Sequence, residues 1–435
     1  MSGFGKKIVV TGMGTVNPIG KSIEEYWKNL INGESGIDRI RAFDPTGFPV
    51  QIAGEVKQDD LSTLIPSSLP ACPTSPLPHR TVLLSLAASG QAILAAGLDP
   101  RNWNPQRVGV YLGVGIGTMD FPAHATAVRE SFDNGDLLVP RFMKGIEKQG
   151  KPYLETELDT DPTLDAISMG WNIEGPQSIS LTACAASAQA IGEACYWIGK
   201  GMVDIVLTGG SHSIVDPFGI TGFGHLTALS TRNDDPKRAC RPFDKDRDGF
   251  VLAEGAGNLI LESEEHARAR GAEILAEIAG YGLSTDAYRV TDPDPTAESP
   301  ARAMSNALRM AGMSSDQVDV VNAHGTSTQA NDRVETMAIK KVLGERAYRV
   351  PVHSIKSMTG HSIAAAGVLE AIAAIQTLSE GVVPPTLNYQ TPDPDCDLDY
   401  VPNEAREIAA KMVLSNSFGF GGQNVSLAIK EYLPC

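Results

Sequence analysis

Three reactive side chains in this 435-residue sequence stand where the chain must turn. Cys184 lies in Leu181-Thr-Ala-Cys-Ala-Ala-Ser-Ala-Gln-Ala-Ile-Gly192, where an apolar strand runs into a helix. A sulfur at a helix N-terminus is favoured as thiolate by the dipole and the free N–H groups. The small residues after it let backbone N–H groups reach a carbonyl oxygen and leave room for an acyl group. The alternative is a packed structural cysteine, as Cys195 in the same helix reads to be. His324 closes Val318-Asp-Val-Val-Asn-Ala-His-Gly-Thr-Ser-Thr328, a strand ending in a polar turn, where α/β folds place ligands. His361 follows 37 residues later in Ser354-Ile-Lys-Ser-Met-Thr-Gly-His-Ser-Ile-Ala-Ala-Ala-Gly367. Here Lys356 is expected to end a strand, Gly360 to turn sharply, and His361 to open the next helix. A lysine at the end of an apolar strand is costly unless paired or functional. Glu370, further along that helix, supports the imidazole or the lysine, or faces solvent. Near the C-terminus, Ser415-Asn-Ser-Phe-Gly-Phe-Gly-Gly-Gln-Asn424 is glycine-rich. Its Phe418 and Phe420 either swing or fill a tight turn.

Other motifs are excluded. Asp244-Lys-Asp-Arg-Asp-Gly249 starts like a calcium loop, but its twelfth position is Gly255, with Glu254 one residue early. Gly12-x-Gly14 lacks a third glycine at Asn17, and no phosphate-binding GxxxxGK[ST] occurs. The cysteines at 72, 184, 195, 240, 396 and 435 form no CxxC pair, so no zinc site or disulfide framework is expected. That usage suits a reducing cytosol.

The elements that must position these residues alternate strand and helix, which argues for an α/β fold. Ile8-Val9-Val10 leads to a glycine turn, and Ser22-Ile-Glu-Glu25 reads as a capping box opening a helix that stops at Gly33. The pattern also repeats. Ala92-Ile-Leu-Ala-Ala-Gly97, a polar loop and Arg107–Thr118 are echoed by Ala307-Leu-Arg-Met-Ala-Gly312, a polar loop and Gln317–Thr328. Ser178–Cys184 with its Ala-rich helix is echoed by Val350–Lys356 with another. A duplicated unit therefore accounts for the length, with halves 1–264, carrying the cysteine, and 265–435, carrying both histidines and the lysine. Residues 62–80 hold five prolines and read as an extended loop. Residues 129–166 are polar, with acids at 155, 157, 159, 161 and 165, and read as a lid or contact surface.

The formal charge is −16 and the pI near 5.0, which disfavours nucleic acid as a partner. The longest apolar run, His361–Leu378, is interrupted by Glu370 and reads as a buried helix, so no membrane span is expected. The N-terminal stretch has no signal-peptide apolar region.

Cys, His and His, each at a strand end in a duplicated α/β chain with a lysine nearby, suggest thiol-based acyl transfer. At this point the sequence resembles the β-ketoacyl-acyl-carrier-protein synthases, most closely the elongating bacterial type II enzymes. The likeness is densest in Thr182-Ala-Cys184, Leu229-Ser-Thr-Arg-Asn-Asp234, Arg241–Phe250, Asn322-Ala-His-Gly-Thr-Ser-Thr328, Lys356-Ser-Met-Thr-Gly-His361 and Asn416-Ser-Phe-Gly-Phe-Gly-Gly422. It implies a thiolase-like duplicated fold with five layers, α-β-α-β-α, a site between the halves, and a homodimer. Cys184 would take an acyl group from a carrier-protein thioester, with the N–H groups of Cys184 and Phe420 as oxyanion hole. His324 and His361 would hold the malonyl thioester carbonyl as CO₂ leaves. Lys356 would tune the field and hold His361, with Glu370 in support. Thr326 and Thr328 match pantetheine contacts, Phe420 a gate with Phe418 beside it, and Ile116 and Phe223 the acyl pocket. No metal or bound organic cofactor is implied, because substrates ride on the phosphopantetheine of the acyl-carrier protein.

Two departures stand out. The family commonly places basic docking residues in the region of 62–80 and at the position of Thr227. Here those are His79 and Arg80 in a proline-rich stretch, and an uncharged residue. The segment 145–168 is longer and more acidic. Arg141, Lys144, Lys237 and Arg238 are left as candidates for docking an acidic carrier. A polyketide or unusual fatty-acid pathway is the other setting, and the alternative function is a partner-dependent subunit of a heteromeric polyketide synthase that pairs with a related synthase chain and shapes a shared chain-length pocket.

Overall fold

The computed structural model describes residues 3–58, 60–71, 79–115, 121–149 and 161–433. Ten strands share one large sheet. They are β1 (Ile8–Val16), β2 (Val108–Val114), β3 (Gln177–Ser180), β4 (Ile205–His212), β5 (Gly255–Ser263), β6 (Ala276–Thr285), β7 (Val320–Asn322), β8 (Val352–His353), β9 (Met412–Gly419) and β10 (Gln423–Lys430). Across the sheet they run β8-β7-β9-β10-β6-β1-β5-β4-β2-β3.

The repeat read in the sequence is visible in the pairing. β2 pairs parallel with β3 and β4, β4 antiparallel with β5, and β5 antiparallel with β1. In the same pattern β7 pairs parallel with β8 and β9, β9 antiparallel with β10, and β10 antiparallel with β6. The two five-stranded units join where Val9 and Val10 face Glu277 and Ala276.

Helices fill both sides of each unit. α1 (Ile23–Ile31) opens at Ser22, whose side chain accepts from Glu25 N–H as the capping pattern predicts. α2 (Arg80–Ala95) covers β1 and β5, and α4 (Glu298–Ala311) covers β6 and β10. Between the units lie α3 (Ala186–Gly199) and α5 (Ala366–Glu380). α3 touches β2 and β4 on one side and β6 and β10 on the other; α5 touches β9 and β10 and also β4 and β5. The layers are therefore α-β-α-β-α. The glycines that interrupt the strands permit this closeness. A Cβ on Gly113 or Gly210, neighbours in β2 and β4, would collide with Ser187 in the first turn of α3.

A one-turn helix, Ala183–Ala185 before α3 and Ile363–Ala365 before α5, occupies equivalent places. Both begin with a left-handed residue, Ala183 at φ 47° and Ile363 at φ 48°. A side chain there costs about 1–2 kcal/mol, and such strain collects where geometry is fixed for function. Ile363–Glu380 is long and apolar enough to cross a membrane, yet 83% of it is buried inside the fold, as a core helix is.

Two local expectations need correction. Lys356 does not end a strand; β8 stops at His353, and Lys356 starts the short helix Lys356–Thr359, its N–H held by Ser354 Oγ at 3.3 Å. His361 does not open a helix. Gly360 does turn the chain (φ 72°), but His361 then bridges to Leu252, its N–H donating to Val251 O at 2.7 Å. That bridge engages its backbone, so helix begins beyond it. In 62–80, Leu61–Leu64 forms a one-turn helix and the stretch 72–78 lies outside the described residues. The acidic stretch 150–160 also lies outside them; before it, helices Phe121–Ser131 and Val139–Gln149 pair as a hairpin.

Candidate active site

Cys184, His324 and His361 converge on one point. The sulfur and a ring nitrogen of each histidine lie within 4.8 Å of one another, and all three residues are buried. Cys184 comes from the turn before α3, His361 from just before the equivalent turn, and His324 from the end of β7. The imidazoles stand edge to face, centroids 5.3 Å apart. Phe250 backs His361 at 5.1 Å, and Phe418 backs His324 at 6.1 Å.

The hydrogen bonds fix what each imidazole can do. Ile363 N–H donates to His361 Nδ1 at 3.3 Å. Lys356 Nζ lies 3.2 Å from His324 Nδ1 and donates to His324 O at 2.5 Å. Both Nδ1 atoms thus face donors, which leaves the proton on each Nε2. Burial, then the Lys356 charge, holds both imidazoles well below their usual pKa, so they are neutral at pH 7. Two neutral Nε2–H donors next to one thiol can bind a single carbonyl oxygen. The same polarity fits a metal poorly. A histidine bound to metal through Nε2 donates its Nδ1–H to an acceptor, and here both Nδ1 atoms meet donors.

The resemblance attaches Lys356 to His361, but its Nζ is engaged with His324 and with Glu370. His361 lies beyond the Gly360 turn with its Nδ1 already taken. Lys356 and Glu370 form a buried ion pair, each side chain 1% exposed. Ser417 Oγ donates to the other Glu370 oxygen at 3.2 Å. Burial raises the Glu370 carboxyl to about 7, against the pull of Lys356. A second buried carboxylate, Glu335, escaped the sequence reading. It accepts the N–H groups of His324 (2.9 Å) and Gly325 (2.8 Å) and the Asn416 amide (3.1 Å), so it clamps the turn that carries His324. Burial pushes it up to about 7 as well. The available signal was an acid on the helix face shared with the buried Ala338 and Ile339.

The expected resting thiolate is not supported. Burial pushes the Cys184 thiol up to about 11, although the N–H of Phe420, the charge of Lys356 and its own N–H pull the other way. Desolvation of the anion outweighs the stabilisation the turn offers. Those two N–H groups nevertheless point at the sulfur, where charge would develop during attack. Cys195, whose thiol meets Ile191 O at 3.1 Å, is core as read. Asp244, the first acid of the discarded calcium loop, is spent on the N–H groups of Asp246 (2.9 Å), Gln390 (2.6 Å) and Thr391 (2.7 Å).

A cavity of about 260 Å³ opens from the triad to the surface. Its lining includes the buried Phe418 and Thr326, the half-buried Phe420, Thr328 and Asp286, and the exposed Leu226, Asp248 and Asp292. The two threonine hydroxyls are 2.9 Å apart. Phe418 is fixed in β9, while Phe420 sits in the turn beyond it, beside Phe223 at 6.3 Å. Phe223 packs in the same apolar cluster as Cys184, and Ile116 lies outside the described residues. The docking candidates do not line the cavity. Arg141 and Lys144 are exposed on helix Val139–Gln149, with Arg141 3.6 Å from Asp133. Lys237 and Arg238 are exposed on the turn Pro236–Arg238, with Arg238 3.7 Å from Asp235.

A buried thiol between two neutral imidazoles, at the foot of a hydroxyl-lined channel in a duplicated α/β fold, defines an acyltransferase of the thiolase-like class. The family comparisons agree. Residues 5–267 match the β-ketoacyl synthase N-terminal domain and residues 275–390 the C-terminal domain. The chain is 41% identical over 427 residues to a 3-oxoacyl-[acyl-carrier-protein] synthase 2 of Synechocystis, covering 98% of each, and 40% identical to one of Coxiella burnetii, covering 98% and 99%. Among solved structures it resembles the ishigamide ketosynthase/chain length factor (TM-score 0.86, 33% identity, 98% and 100% covered). It also resembles a type II polyketide ketosynthase solved in complex with its acyl-carrier protein (TM-score 0.83, 34%, 98% and 100%). The chain belongs to the β-ketoacyl synthase family, and its reaction is condensation in acyl-chain elongation.

Proposed function

We propose that the chain joins a Cys184-bound acyl group to malonyl-acyl-carrier protein, giving 3-oxoacyl-acyl-carrier protein and CO₂. The carrying observation is the triad: one thiol within 4.8 Å of imidazole nitrogens on two histidines whose Nδ1 atoms already face donors.

The acyl carbonyl carbon of the incoming thioester is attacked by the Cys184 sulfur. Its oxygen is held by the N–H groups of Cys184 and Phe420. The pantetheine sulfur leaves and takes up the proton that Cys184 gives up. Malonyl-carrier protein then enters along Thr326 and Thr328. Its thioester oxygen is held by Nε2–H of His324 and of His361, which stabilises the enolate as the C–C bond to CO₂ breaks. The enolate carbon attacks the acyl-Cys184 carbonyl, a C–C bond forms as the C–S bond breaks, and the Cys184 thiolate that leaves takes a proton from solvent. Lys356 and Glu370 keep His324 in the donating tautomer. Phe420 gates the acyl side, with Phe418 next to it, and Phe223 and Ile116 line the acyl pocket. No resident cofactor is required, because decarboxylation itself generates the carbanion.

The halves 1–264 and 265–435 carry the nucleophile and the two histidines respectively. The working form is a cytoplasmic homodimer. A heterodimer with a related synthase chain is the second reading, supported by the likeness to a ketosynthase/chain length factor; mass measurement of the active species separates the two. The test of the chemistry is a pair of variants. Cys184→Gln should lose acyl loading yet release CO₂ from malonyl-carrier protein; no CO₂ release contradicts the histidine roles. Cys184→Ala condensing at the wild-type rate contradicts the whole reading.

A further inference from the structure

One signature of the sequence has no part in the chemistry above. Arg241-Pro-Phe-Asp-Lys-Asp-Arg-Asp-Gly-Phe250 begins like a calcium loop, yet its Asp244 is spent on backbone N–H groups. The segment instead wraps the turn that carries Thr326 and Thr328. That turn is strained. Ser327, between the two threonines, is fully buried and holds φ at 70°, in the left-handed region that a side chain disfavours. Such a conformation persists only where its surroundings fix it. Here Arg241 N–H donates to Ser327 Oγ at 2.9 Å, and Gly249 N–H donates to Ser327 O at 3.1 Å. Ser327 N–H donates to the Asp332 carboxylate, which also accepts Phe243 N–H at 2.7 Å.

Arg247 closes the wrap, with its side chain 1% exposed. Nε donates to Thr328 O at 3.1 Å and Nη2 to Gln329 O at 3.2 Å. Nη1 donates to Asp244 O at 2.8 Å and to Asp393 Oδ2 at 2.5 Å. Asp332 lies 3.6 Å from Nε, so two carboxylates balance the one guanidinium. Gln329 returns the contact, its Nε2 donating to Arg247 O at 2.6 Å. A planar fork that reaches two successive carbonyls and a carboxylate at once is a geometry an ammonium cannot copy. Among the described residues that line the cavity are its neighbours Asp248, Gly249 and Phe250, but not Arg247 itself. It therefore acts on substrate only through what it holds.

We propose that Arg247 is a positioning residue for the pantetheine arm. By gripping the carbonyls of Thr328 and Gln329 it fixes the Ser327 turn, so that the Thr326 and Thr328 hydroxyls, 2.9 Å apart, stand in the channel as one paired site for the amides of the arm. This rests on the reading above that the arm runs along those threonines.

The experiment follows octanoyl loading of Cys184 by intact mass against donor concentration, which separates the half-saturating concentration from the maximal rate. The donors are octanoyl-pantetheine and S-(2-hydroxyethyl) octanethioate, which has no amide. The full chain is compared with Arg247→Lys, Thr326→Val and the double variant, and melting temperatures check folding. Arg247→Lys should raise the half-saturating concentration of octanoyl-pantetheine about tenfold, with the maximal rate and both values for the amide-free donor within about twofold. Thr326→Val should raise the same concentration about threefold. Adding Arg247→Lys to it should cost no more than about a further threefold, because the two act through one contact. Where Arg247→Lys does not fold, Asp393→Asn, which frees Nη1, should show the same split at about threefold. Wild-type behaviour of Arg247→Lys, equal losses with both donors, or full additivity with Thr326→Val overturns the inference. Thr326→Val matching wild type overturns the pantetheine reading of the threonines. Loading of wild type from neither donor overturns the condensing-enzyme reading itself.

Discussion

Lys356→Met keeps the length of the side chain and removes its charge. The wild-type Nζ donates to His324 O at 2.5 Å, lies 3.2 Å from His324 Nδ1 and pairs with Glu370, all in a region 1% exposed. Removing one partner of a buried pair costs roughly 3–5 kcal/mol, because the other charge stays desolvated. Glu370 can relieve part of this by taking a proton, since burial already holds it at about 7. The sign follows. Below pH 7 the variant's carboxyl is neutral and the loss sits at the low end. Above pH 7 the loss grows by about 1.4 kcal/mol per pH unit until the variant's own, higher pKa is passed. With about 2.1 cal/mol/K of unfolding entropy per residue, 3–5 kcal/mol lowers the melting temperature by about 3–5 °C. Calorimetry at pH 6 and pH 8 reads both the drop and its pH dependence. Lys356→Met/Glu370→Gln should regain the greater part of it, because the orphaned charge is gone. Condensation should fall about a hundredfold in both, since His324 Nδ1 has lost its donor and the tautomer is free to change. A single variant as stable as wild type at pH 8, or a double variant no better than the single, would refute the ion-pair argument.

Further outcomes follow from the same structure. Because Cys184 is held at about 11, its alkylation by iodoacetamide should be slow at pH 7 and rise steeply beyond pH 9; a plateau by pH 8 would mean that the turn does stabilise a resting thiolate. Glu335 is raised from 4.5 to about 7, so the stability its protonated form contributes is full below 4.5 and lost as pH rises through 7. Glu335→Gln should therefore flatten the melting-temperature profile between pH 4.5 and 7, and an unchanged slope sinks the assignment. Gly210→Ala pushes a methyl group into Gly113 and Ser187, and should destabilise by more than about 2 kcal/mol in chemical denaturation; a silent substitution would show that α3 can shift away from the sheet.

Much of the fold was legible because the duplication is written twice. The Ala-Gly helix ends, the glycine-rich strand ends and the two Ala-rich helices recur in order, and they became matching halves of one sheet. Cys184 and His324 were legible because each follows a strand at a turn of small residues, and His361 because Gly360 marks the turn before it. What stayed hidden depends on contacts remote in sequence. The His361 backbone is claimed by Leu252 and Val251, which no local pattern announces. Lys356 contacts His324, which another strand of the same unit brings to it from 32 residues away in sequence. Glu335 looked like an ordinary surface acid until its partners His324, Gly325 and Asn416 were brought together. The thiol's protonation was misjudged because helix-terminus stabilisation can be read locally, whereas desolvation is set by everything packed around it.

The central claim is that Cys184 carries the acyl group that the enolate attacks. The direct test is a single turnover on purified protein pre-loaded with a labelled acyl group. Malonyl-carrier protein is then added, and the Cys184 peptide, the product and CO₂ are counted together. Loss of one acyl group from Cys184 for each CO₂ and each 3-oxoacyl-carrier protein formed is the predicted result. Product carrying the label while Cys184 stays acylated, or label mapping to another cysteine, would contradict it.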